Sequence, residues 1–72
     1  MRIEVMSSKG DELLAEWDVR SSPAELSDIA EAFCTLRGRG YRAFGAVTGR
    51  RVDRFIAEVD EDLIFIAPMV GG

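Results

Sequence analysis

The stretch SSPAELSDIAEAFCTLRGRG, Ser21 to Gly40, is the one segment that reads as a helix, and its apolar residues fall on one side only. Ser22 is placed to cap the helix, Pro23 to occupy its first position and Glu25 its third, the pattern of a capping box. Leu26, Ile29, Phe33 and Leu36 recur at steps of three and four, and Ala30 fills the same stripe. Asp28 and Glu31 fall on the solvent side, and acidic residues early with Arg37 late suit the helix dipole. Gly38 is the natural stop, with Gly40 as a second loosening point. A lone helix with a single apolar stripe must bury that stripe against a sheet. The fold class that follows is α+β.

The flanking segments supply the strands. In RIEVM, Ile3 and Val5 alternate with Arg2 and Glu4, the period of a half-buried strand. Ser7 to Glu12 is turn chemistry, with Gly10 free to take positive φ. LLAEWDV then places Leu13, Ala15, Trp17 and Val19 on one face, with Leu14 beside Glu16 and Asp18 on the other. The two form an antiparallel hairpin. After the helix, YRAFGAV reads as a third strand weakened by Gly45, and TGR as a turn. RVDRFIAEV reads as a fourth strand with irregular edges, Asp60 to Asp62 as an acidic turn, and LIFIA as the most apolar strand. That last strand is expected at the centre of the sheet, beside the first and buried on both faces. The expectation is one domain over residues 1–72, a ββαββ mixed sheet of four to five strands packed on one helix.

Composition removes several classes of function. Seventy-two residues leave little room for a deep catalytic cleft. Histidine is absent and Cys34 is the only cysteine, so the usual general base, a zinc site, a triad and an intramolecular disulfide are all missing. The chain is therefore expected to be a carrier or binding module, not an enzyme, with no bound cofactor or metal. A net charge of -4 argues against nonspecific nucleic-acid binding. The N-terminal MRIEVMSSKG has no apolar core of a signal peptide, and no run approaches a membrane span, so the expected setting is cytoplasmic, away from membranes.

Several residues read more simply as structure than as chemistry. Cys34, next to Phe33, is expected to be a buried small hydrophobe. Lys9 is the only lysine, which is the result of Arg replacing Lys across the chain. Arg50, Arg51 and Arg54 read as a solvated strand edge, where charge discourages pairing. Asp60, Glu61 and Asp62 read as a solvated turn, and Trp17 and Tyr41 as core or helix-packing residues. Ile64 or Ile66, depending on register, is the better candidate for an outward, partner-binding position.

The segment DEDLIFIAPMVGG, Asp60 to Gly72, runs from acidic turn through apolar strand to Pro-x-x-Gly-Gly. With the order of elements before it, this resembles the ubiquitin-like β-grasp sulfur carriers ThiS and MoaD and the prokaryotic ubiquitin-like modifiers. The family commonly carries two prolines where Ala67 and Pro68 stand. The resemblance implies a β-grasp fold with residues 68–72 as a projecting tail. It implies that a ThiF/MoeB-like enzyme uses ATP to adenylate the Gly72 carboxylate. The product is then a thiocarboxylate for a sulfur-accepting synthase subunit, or an isopeptide on a target-protein lysine. Gly71 and Gly72, lacking Cβ, suit threading into a narrow channel. Pro68 stiffens the exit from the strand, and Met69 and Val70 join Pro68, Ile64 and Ile66 as partner-binding residues. The alternative is a non-conjugated β-grasp adaptor or assembly subunit that binds its partner through the sheet face.

Overall fold

A computed structural model describes residues 1–7 and 9–68. In chain order the elements are β1 (Arg2–Ser7), β2 (Gly10–Glu16), α1 (Pro23–Gly38), β3 (Arg42–Gly45), β4 (Arg51–Val52) and β5 (Leu63–Ile66). They build an α+β unit in which five strands form one mixed sheet ordered β2-β1-β5-β3-β4. β5 lies at the centre, parallel to β1 and antiparallel to β3, beside the first strand as its apolar composition led one to expect. The helix covers one face, and its buried Ile29 and Phe33 meet Ile3, Ala43, Leu63 and Phe65 from the sheet.

Both helix ends are closed by local chemistry. The Ser22 hydroxyl accepts from the Glu25 N–H at 3.2 Å, satisfying one of the orphan donors of the first turn. At the other end the helix runs through Gly38, and Gly40 is the residue that takes positive φ, at 91°. The Tyr41 N–H reaches back to the Leu36 carbonyl and the Gly40 N–H to that of Arg37, a Schellman closure. The helix therefore stops at Gly38, and Gly40 supplies the positive φ of the closure.

In the first hairpin, pairing shifts register between Ile3 and Glu4: Ile3 faces Ala15, but Glu4 faces Leu13. Leu14 is the extra residue of a β-bulge. The bulge exchanges the places expected for the two leucines. Leu14 lines a groove with Ala32 and Leu36 of the helix, whereas Leu13 stands opposite Glu4, on the face away from the core. Val19, expected inward, lies beyond the strand and is fully exposed. Trp17 is buried as expected, its Nε1 donating to the Ala57 carbonyl at 3.1 Å and its ring meeting Phe55 edge-on at 5.0 Å.

Three further expectations are corrected. The fourth strand is only Arg51–Val52, and residues 53–62 form an irregular crossing segment. Phe55, Ala57 and Val59 of that segment pack on the core, so its apolar residues serve burial without strand pairing. β3 ends at Gly45, where a turn begins at Ala46. Cys34 is exposed, because the stripe that faces the sheet is centred on Ile29 and Phe33, and Cys34 is turned off it.

Phe33 is fully enclosed, 4.8 Å from the Phe65 ring and 6.4 Å from Phe55. Phe33→Ala is expected to cost about 3–5 kcal/mol, most of the stability of so small a domain. Cys34→Ala is expected to change stability by less than about 0.5 kcal/mol. Urea titrations followed by Trp17 fluorescence check both.

Candidate functional site

The register of β5 decides which of its side chains face outward. Leu63 pairs with Ile3 and Gly45, and Phe65 with Val5 and Ala43, all on the helix side. Ile64 and Ile66 are therefore on the open side, and β5 is not buried on both faces as its composition suggested. Ile64 lies between Glu4 and Phe44, and Ile66 between Met6 and Arg42. Across the sheet, Leu13 faces Glu4 and Asp11 faces Met6.

The result is an apolar strip across the uncovered face, made by Leu13, Met6, Ile64, Ile66 and Phe44. Leu13 is 55% exposed, Ile66 47% and Met6 41%, while Ile64 and Phe44 are half-buried. Asp11, Arg42 and Arg51 rim it in charge, and Glu4 stands within it, between Leu13 and Ile64. An apolar face with a charged border is the composition of a protein-binding surface. Of its members, only Ile64 and Ile66 were singled out from the sequence. Met6 follows from extending the alternation of β1 past Glu4, and Phe44 from the alternation of β3. Leu13 carries no such signal, because a bulge placed it there.

The chain leaves β5 at the top of this face. The Ala67 N–H still donates to the Met6 carbonyl at 3.3 Å, so the β1–β5 ladder runs one residue beyond the strand. Pro68 is exposed and rests on the turn that closes the helix: a Cβ on Gly40 would stand 3.4 Å from the proline Cβ. Gly40 is required there for its positive φ, and Pro68 lies at contact distance from it. Met69, Val70, Gly71 and Gly72 lie outside the described residues.

At the other end of β5 the acidic triplet does more than face solvent. Glu61 reaches the turn after β3: Oε1 accepts from the N–H groups of Val47 and Thr48 at 2.8 and 3.0 Å, and Oε2 from the Thr48 hydroxyl at 2.8 Å. Asp62 Oδ1 accepts from the Arg2 N–H at 3.0 Å, and the Asp62 carbonyl from the Ala46 N–H at 2.8 Å. The bonds from Thr48, and after them that from Val47 and the charge of Arg50, hold the Glu61 carboxyl below its ordinary pKa. Gly45 makes the arrangement possible, since a Cβ there would overlap the Glu61 carboxylate as it is placed. These groups are fastenings of β5, and nothing in them points to cation binding. No metal-holding cluster of His, Cys, Asp or Glu occurs among the described residues.

Among the described residues no helix is long and apolar enough to cross a membrane. Comparisons of the chain with protein-family models, with curated proteins and with solved structures found no match.

The Glu61 fastening gives a pH-dependent outcome. Its folded pKa lies below the unfolded value of about 4.3, so its stabilisation is complete above that value and is lost as pH falls through the lower folded one. Glu61→Gln is expected to lower the thermal midpoint at pH 7, and the gap to the wild type to narrow below about pH 4. Gly45→Ala is expected to displace the Glu61 carboxylate and so to lower the thermal midpoint at pH 7, and to do much less when Glu61 is also Ala. Thermal melts across pH and a double-mutant cycle measure these.

Proposed function

We propose that the chain is a ubiquitin-like β-grasp carrier whose Gly71-Gly72 end is activated by a ThiF/MoeB-like, ATP-using partner. The observation that carries the reading is the place of β5: the strand leading to Pro68 is the central strand of the sheet, parallel to β1. A segment that follows such a strand starts from a rigid base. The strand order β2-β1-β5-β3-β4 around one helix also supports the β-grasp assignment.

The chemistry proposed for the tail is acyl activation, with Gly72 as the end of the chain. A carboxylate is a poor acyl donor. Attack of its oxygen on the α-phosphorus of ATP expels pyrophosphate and leaves an acyl-adenylate, from which AMP departs readily. A sulfide donor then yields a thiocarboxylate. Alternatively an enzyme cysteine takes the acyl group, and a target lysine receives it as an isopeptide. Gly71 and Gly72 admit the backbone to the channel, and Pro68 sets its starting direction. Ile64 and Ile66, with Met6, Leu13 and Phe44, form the face on which the activating partner rests. The carrier supplies the reacting carboxylate and no catalytic side chain.

A second reading is supported by the exposure of Leu13, Met6 and Ile66. In that reading the open face alone binds a partner, as in an adaptor, and the glycines are dispensable.

Two variants separate the readings. With a ThiF/MoeB-like enzyme, the full chain is expected to support ATP–pyrophosphate exchange. Deletion of Gly72 is expected to abolish exchange without moving the thermal midpoint. Ile66→Asp is expected to weaken partner binding at least about tenfold, the loss of one central apolar anchor. Partner binding that survives loss of both glycines, with no exchange by the full chain, establishes the adaptor. Intact mass of the protein from its native host identifies the product, as an oxygen-to-sulfur exchange or as a Gly72 remnant on a lysine.

A further inference from the structure

Charge is divided along the strand order. At the β2 edge stand Asp11, Glu12 and Glu16, and the side of the helix that faces this edge adds Asp28 and Glu31; all five are exposed. At and beside the opposite edge, β4, stand Arg50, Arg51 and Arg54, also exposed. Among the described residues none of the five carboxylates forms an ion pair, nor do Arg50 and Arg54, and Arg51 pairs with Asp53 alone. β2 and β4 each have one strand neighbour, so each leaves a row of backbone N–H and C=O groups unpaired in the sheet.

The two edges also differ in shape. Beside β2 runs a groove of about 330 Å³, floored by Leu14, Ala32 and Leu36 and lipped by Asp28 and Glu31. The bulge at Leu14 opens it by turning that side chain toward the helix. Beside β4 the helix instead sends Arg37 to Asp53, whose carboxylate also meets Arg51, so that flank sets one carboxylate against Arg37, Arg50, Arg51 and Arg54.

We propose that the β2 edge and its groove receive the β4 edge of a second copy of this chain, so that copies add head to tail into a continuing sheet. Two β2 edges repel each other, and so do two β4 edges, which excludes the symmetric pairings. The opposite pairing brings arginine to carboxylate. Arg51, opposite Phe44 on the open side of the sheet, meets Asp11 on that side, while the stem of Arg54, just past β4, lies over Leu14 and Leu36 and its guanidinium group meets Asp28 and Glu31. Such a contact is heterologous, and nothing in it closes after two copies. β4 offers only Arg51 and Val52 as strand, so the ladder between copies is short and the attraction is chiefly ionic. It is therefore weak and dependent on salt. The apolar strip and Pro68 stay uncovered, so the contact stands or falls separately from the carrier reading.

The test is sedimentation velocity of the full chain over increasing concentration. At about 0.05 M salt, the weight-average mass is expected to rise at least about twofold as the chain approaches about 1 mM, and to return to monomer at about 0.5 M salt. Asp28→Lys with Glu31→Lys lies on an exposed helix face, and is expected to give monomer throughout. Arg51→Glu with Arg54→Glu is expected to do the same, with circular dichroism to confirm its fold. Mixing the two variants is expected to restore association, since each then offers the charge that the other lacks. A chain that stays monomeric at low salt overturns the proposal and leaves the acidic groove to some other basic partner. Association untouched by either reversal overturns it in favour of the apolar face. Loss with one reversal only, or no recovery on mixing, overturns it by showing that the two edges are not each other's partners.

Discussion

The structure depends on the pairing of β1 with β5. Ile3 against Leu63 and Val5 against Phe65 place the apolar residues of both strands under the helix, where Ile29 and Phe33 complete the enclosure. β1 carries its hairpin partner β2 outward on one side, and β5 carries the β3–β4 hairpin on the other. Without the central pair, the hairpins share no hydrogen bond. The entropic cost of bringing such distant segments together rises only slowly with the intervening length, by about 0.6 kcal/mol per doubling. Burial of Phe33, Phe65, Ile3 and Leu63 outweighs it, because each large side chain contributes about 1.5–3 kcal/mol.

Polar groups lock this arrangement at its edges. The terminal ammonium of Met1 donates to the Trp17 carbonyl at 2.6 Å, and the Trp17 N–H to that of Met1 at 2.8 Å, extending the first hairpin past its strands. Glu61 and Asp62 bind the entry of β5 to the turn after β3 and to the start of β1. One short acidic run thereby joins three segments that are far apart in sequence. It does so through backbone N–H groups, which need no complementary cation.

The parts legible in the sequence are those fixed by local chemistry. The Ser22 cap, the helical stripe and the alternation of β1 all follow from neighbours within a few residues. The central place of β5 followed from its lack of polar residues. What escaped was set by partners across the sheet. Leu13 and Leu14 are the same residue type, and only the bulge opposite Ile3 and Glu4 separates a leucine on the open face from one in the groove beside the helix. Leu63 to Ile66 are all large and apolar, so no alternation within the strand distinguishes Ile64 and Ile66 from their neighbours. The apolar residues from Phe55 to Val59 look like a strand, yet they bury themselves as a crossing segment because Trp17 and Phe33 offer a surface and β4 offers little edge. Glu61 is read as a solvated charge until Gly45 is seen to leave room for its carboxylate.

The central position of the last strand also orders events during synthesis. Everything from Arg2 to Val52 can emerge from the ribosome as two separate hairpins and a helix, but the sheet has a gap until Leu63 to Ile66 have been made. Completion of the fold is thus tied to completion of β5, and a chain arrested before it exposes the unpaired sides of β1 and β3. Such fragments are open to degradation in a way the finished sheet is not. Ala67 and Pro68 gain the paired strand they follow only in molecules that have passed this step.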